Sequence, residues 1–123
     1  MKILAIILLA TLSLNAYSQK LLLATSTDAK IYVEKSSILK SGEYKTASLY
    51  YEFENKKHGA SSMITENIYD CKQKSFKSRK LVMHELEEGK GIIIAANYDG
   101  DEEWIHPLLN TSGFDVLKYI CKN

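Results

Sequence analysis

Proline occurs once in the 123-residue chain, at Pro107, and no Gly-, Ser- or Pro-rich tract interrupts it. The sequence therefore marks no linker and no second domain. Neither sign of charge dominates, since 16 basic and 15 acidic residues leave a formal net charge of +1. That balance argues against a general nucleic-acid binder, which needs many phosphate-neutralising side chains. Catalytic signatures are missing as well. There is no Gly-x-Ser-x-Gly elbow and no phosphate-cradling glycine loop. His84-Glu85 opens like a zincin motif, but Glu88 stands where the second histidine is required. Asp99, Asp101, Glu102 and Glu103 alternate as in a calcium loop. Trp104 occupies the place of the turn glycine, however, and no glutamate closes the loop, so an acidic turn is expected. His58, His84 and His106 lie in separate segments. The reading is of a non-enzymatic protein with no cofactor and no metal site.

The N-terminus sets the compartment. Lys2 precedes the apolar run Ile3 to Leu9, extended through Ala10 and Leu12, and Ala16-Tyr17-Ser18 supplies small residues at the positions a signal peptidase reads. Residues 1–18 are read as a signal peptide cleaved before Gln19, with cleavage before Tyr17 as the alternative. The run is too short to span a bilayer, which takes about 20 apolar residues. No cysteine lies near the cleavage point, so no lipid anchor is expected. Residues 19–123 then form one domain, in which 15 basic residues balance 15 acidic ones once Lys2 is removed. In an exported chain the two cysteines, Cys71 and Cys121, read as one disulfide. Closing a loop of about 50 residues, it contributes about 4 kcal/mol in the chain-entropy model.

Turn signals at hairpin spacing punctuate the rest. Leu21 to Ala24 and Lys30 to Glu34 read as short peripheral strands, and Ser41-Gly42 as a turn. From Thr46 the chain alternates, with Ala47, Leu49, Tyr51 and Phe53 on one face and Ser48, Tyr50, Glu52 and Glu54 on the other. After the turn at Asn55 to Gly59, strands are expected over Ser62 to Cys71 and Lys77 to Glu87. The run Ile92-Ile93-Ile94-Ala95-Ala96 is apolar on both faces, which predicts a central strand covered on both sides. A short strand near Trp104 and Ile105 follows, its indole expected to turn inward against a closing helix. That helix, capped by Thr111 or Ser112, carries the stripe Phe114, Val116, Leu117, Ile120 and Cys121. The fold class is α+β: an antiparallel β-sheet meander with a C-terminal α-helix packed on it and one disulfide.

Ile68-Tyr69-Asp70-Cys71-Lys72, a basic stretch to Lys80, Trp104-Ile105-His106-Pro107 and Tyr119-Ile120-Cys121-Lys122 occur here in a recognisable order. In this ordered set the chain resembles the surface-adhesin protein E family of Gram-negative bacteria, over roughly residues 20–123. The resemblance implies an antiparallel sheet with a packed C-terminal helix. It also implies a binding role at the cell surface, with host matrix or serum proteins such as laminin, vitronectin and plasminogen as partners.

Within that frame the candidate partner-binding residues are Lys72, Lys74, Lys77, Arg79 and Lys80, five positive charges in nine residues. Phe76 lies among them as a possible apolar anchor. Clustered charge steers an acidic protein or a polyanionic glycan and raises encounter rates. Tyr50, on the polar strand face beside Glu52, is the next candidate. The alternative partner is a periplasmic protein, for an immunity protein that neutralises a toxin or for an envelope factor. Localisation is exported, to the periplasm or the cell surface.

Overall fold

The computed structural model describes residues 20–123; the signal-peptide reading lies outside the described residues. Seven strands form one antiparallel sheet: β1 (Lys20–Thr25), β2 (Ala29–Glu34), β3 (Leu39–Ser41), β4 (Tyr44–Lys57), β5 (Ala60–Asp70), β6 (Ser75–His84) and β7 (Ile93–Asn97). Their order is β1-β2-β4-β5-β6-β7, with β3 pairing beside β2 on β4. Apart from that short insertion the sheet is the expected meander. One helix, α1 (Ser112–Lys122), follows.

Alternation along β4 sorts its side chains as the sequence requires. Ala47 and Leu49 are buried beneath α1 with Ile31, Val33 and Tyr69, while the helix contributes Val116, Leu117 and Ile120. Each large apolar side chain so buried contributes about 1.5–3 kcal/mol. Thr111 caps the helix, its Oγ1 accepting from the Phe114 N–H at 3.3 Å, and Asp115 sits in the first turn, where a negative charge favours the helix dipole. The Cys71–Cys121 disulfide ties the end of β5 to the last turn of α1. We call the side of the sheet under α1 the helix face and the other the open face.

Two sequence expectations are corrected. The apolar run at Ile92 to Ala96 is not central: β7 is the last strand of the sheet, and all five of its residues are exposed. A continuous apolar run carries no periodicity to separate a covered strand from an uncovered one. The helix that could have covered it packs instead against β1, β4 and β5. Trp104 does not turn toward α1 either. It lies against Tyr44, ring centres 5.3 Å apart. Tyr44 alternates with Lys45, whose side chain reaches the helix, so Tyr44 and the indole belong to the open face. The expected strand at Trp104 and Ile105 reduces to a single bridge, Ile105 to Phe76.

Candidate functional site

The basic stretch does not act as one cluster. Lys72 and Lys74 are exposed at the β5–β6 turn, beyond the end of the sheet. Phe76 pairs with Tyr69 and stacks on its ring at 5.7 Å, on the helix face, so it packs on the core and is no anchor within the basic patch. Lys77 pairs with Ile68 on the open face. Strict alternation would send Lys80, three residues on, to the opposite face. A bulge intervenes: Ser78 pairs with Asn67 and Lys80 with Glu66, leaving Arg79 as the extra residue. Lys77 and Lys80 therefore share the open face.

Each of these two lysines lies over an aromatic ring. The Lys77 ammonium is 4.9 Å from the Trp104 ring centre, and that of Lys80 is 5.4 Å from Tyr98. Such contacts contribute about 0.5–1 kcal/mol at exposed sites. Arg79 lies 3.8 Å from Glu66, an exposed pairing that adds little stability. The acidic turn, read from sequence as a separate feature, packs along the same strand. Asp101 Oδ2 accepts from the Ser78 N–H at 3.1 Å, and the Asp101 N–H donates to the Ser78 carbonyl at 2.7 Å. Glycine is required at position 100, where φ is +79° and a Cβ would stand 2.9 Å from the Ser78 carbonyl oxygen. Asp99 lines the same cleft as Lys77 and Arg79. The surface is thus of mixed charge, with fixed positions for both signs.

Part of the open face is closed by residues 85–91, which fold back over it. Ser62 Oγ donates to the Leu86 carbonyl at 2.7 Å and accepts from the Gly89 N–H at 3.0 Å. The Tyr50 hydroxyl accepts from the Glu88 N–H, and burial raises the pKa of that hydroxyl. Tyr50 is consequently buried and cannot serve as a free recognition residue. Between this loop and the 98–104 turn a groove of about 340 Å³ remains, lined by Ile64, Glu66, Lys80, His84, Ile93 and Tyr98 among others. Sequence reasoning missed Tyr98, Ile64 and Ile93, and placed Trp104 on the wrong face. The one available signal was Tyr98 at the mouth of the turn, adjacent to a strand of unbroken apolar character.

A sheet with one face closed by a disulfide-tethered helix and the other presenting cation–aromatic pairs is the architecture of this domain. The chain belongs to the surface-adhesin protein E family: the family model, Surface-adhesin protein E, matches residues 19–122. The fold is similar to that of protein E of Haemophilus influenzae. The selenomethionine form aligns with a TM-score of 0.68 at 13% identity, covering 89% of this chain and 90% of that one. Protein E from non-typeable Haemophilus influenzae aligns with a TM-score of 0.56 at 16% identity, covering 87% and 86%. At such identities the likeness is one of fold. No curated protein sequence matches the chain significantly.

Proposed function

We propose that the protein is an exported, non-enzymatic binding protein of the adhesin type, a single domain following a signal peptide, and that it meets its partner with the open face. The observation that carries this reading is the pairing of Lys77 with Trp104 and Lys80 with Tyr98 on the face that α1 leaves free. Aromatic rings flanked by positioned cations and exposed apolar side chains are what recognition surfaces concentrate. The partner is read as a host matrix or serum protein with an acidic contact surface, and Lys72 and Lys74 extend the positive field from the turn.

Reversing Lys74, Lys77 and Lys80 to Glu tests the reading. Lys74→Glu alters stability by at most about 0.5 kcal/mol, while Lys77→Glu and Lys80→Glu each also lose a cation–aromatic contact of about 0.5–1 kcal/mol. Association with immobilised laminin, vitronectin or plasminogen slows markedly at low salt, and most of the difference vanishes near 1 M, where the Debye length is about 3 Å. An unaltered association rate refutes the open-face assignment. Proteolysis of intact cells checks location. Cleavage without lysis supports surface display, whereas protection until the outer membrane is opened supports the periplasmic alternative.

A further inference from the structure

A pocket of about 200 Å³ lies on the helix face, between the first turn of α1 and strands β2, β4, β5 and β6. Ile31, Leu49, Phe53, Met63, Phe76 and Val116 make its apolar wall. Protein interiors are close-packed, and a pocket of this size leaves its apolar lining short of neighbours. Two phenol groups line the same space, Tyr51 and Tyr69. Among the described residues, nothing hydrogen-bonds to the Tyr51 hydroxyl. The Tyr69 hydroxyl accepts from Asn67 Nδ2 at 3.1 Å, but its own proton goes to no described residue. Tyr69 is only 1% exposed, and buried tyrosine hydroxyls ordinarily find a partner. The two hydroxyls are near enough for Tyr51 to raise the pKa of Tyr69, which burial already raises in both, so each is a proton donor.

One small ligand satisfies both the apolar wall and the unused donors, and the pocket limits its chemistry. Size comes first: an apolar cavity of about 150 Å³ takes benzene, so this pocket admits one ring with a short substituent. The polar group of the ligand has to be an acceptor, because the interior offers O–H donors while the Asn67 Oδ1 acceptor is engaged by Ser78 Oγ at 2.8 Å. It also has to be uncharged. Of the lining residues only Asp28 and Lys57 carry charge; both are exposed at the rim and they are opposite in sign, so a charge placed inside finds no counter-ion. We propose that this pocket binds an uncharged, single-ring aromatic carbonyl compound, its ring held among Phe53, Met63 and Phe76 and its oxygen accepting from Tyr51 and Tyr69. Aromatic and thioether neighbours suit such a ring. The site lies across the sheet from Lys77 and Lys80 and does not depend on the open-face reading.

The test titrates the purified, oxidised protein with acetophenone, with ethylbenzene as the analogue lacking an acceptor and benzoate as the charged one. NMR shifts of the Met63 methyl and the Gly113 amide are read. Acetophenone is expected to shift both saturably, and benzoate to bind more weakly. Tyr51→Phe removes a hydroxyl that bonds to no described residue, so its melting is unchanged. That variant should bind acetophenone about tenfold more weakly and ethylbenzene as the unaltered protein does. Met63→Trp fills the pocket from its partly exposed side and should lose both ligands. The Lys74, Lys77 and Lys80 reversal leaves acetophenone binding intact, so failure of this site and failure of the open-face reading are separate results. Absence of a saturable shift at Met63 and Gly113 overturns the proposal. So does benzoate binding more tightly than acetophenone, or Tyr51→Phe changing the affinities of acetophenone and ethylbenzene equally.

Discussion

Lys45 on β4 caps the far end of α1: its ammonium donates to the carbonyl oxygens of Ile120 at 3.2 Å and Cys121 at 3.3 Å. The Ile120 carbonyl also accepts from the Asn123 N–H at 3.3 Å, and a cation at this end is favoured by the helix dipole. Lys45→Met keeps the aliphatic stem and removes the charge. It is expected to cost about 1–2 kcal/mol, read as a lower denaturation midpoint with an unchanged slope.

The disulfide holds the same helix end from the other side. Cys71 and Cys121 should remain unlabelled by an alkylating reagent until the native protein is reduced. Cys121→Ser is expected to lower the melting temperature by well over ten degrees, since about 4 kcal/mol is lost and each kcal/mol shifts a domain of this size by about 4–8 °C. Full labelling without reductant contradicts the pairing.

Trp104 is half-buried between Tyr44 and Lys77 and takes no part in the helix-face core. Trp104→Ala should therefore cost about 1 kcal/mol, against about 3–5 kcal/mol for an aromatic residue lost from a core. Acrylamide should quench its native emission readily. A loss of several kcal/mol would place the indole in the core after all.

Tyr69 makes the protein sensitive to alkali. It is fully buried beneath α1, and burial pushes its hydroxyl far above the ordinary tyrosine value, against the opposing effect of the hydrogen bond from Asn67 Nδ2 at 3.1 Å. The unfolded chain releases that proton near pH 10 while the folded chain retains it. Stability is thus fully present below about pH 10 and falls as pH rises beyond it. Tyr69→Phe should flatten the alkaline limb of a melting-versus-pH profile. At neutral pH the variant loses about 1–3 kcal/mol, because Asn67 Nδ2 is left without its buried acceptor.

The sequence showed most clearly what depends on period. The alternation from Ala47 to Phe53 and the stripe through Val116, Leu117 and Ile120 each identified a buried face, and the structure packs those faces together. Position within the sheet was not legible at β7, because an unbroken apolar run reads alike whether it is covered or bare. The candidate site was misread for a related reason. Whether Lys77 and Lys80 share a face depends on one bulged residue, Arg79, set by pairing with β5 rather than by anything local to the basic stretch. Phe76, embedded among the lysines in sequence, points the other way because it follows the same two-residue period.

The bond between Cys71 and Cys121 also fixes how the molecule transmits a pull. Tension applied at Lys20 and Asn123 passes from Cys121 directly to Cys71, and the 50-residue separation drops out of the mechanical path. About 170 Å of potential extension is removed with it. β6, β7, the acidic turn and α1 all lie inside that bypass, so the backbone of Lys77, Lys80, Trp104 and the β7 edge carries no stretching load. Only β1 to β5 are placed in series with the force, and rupture under shear would have to begin there.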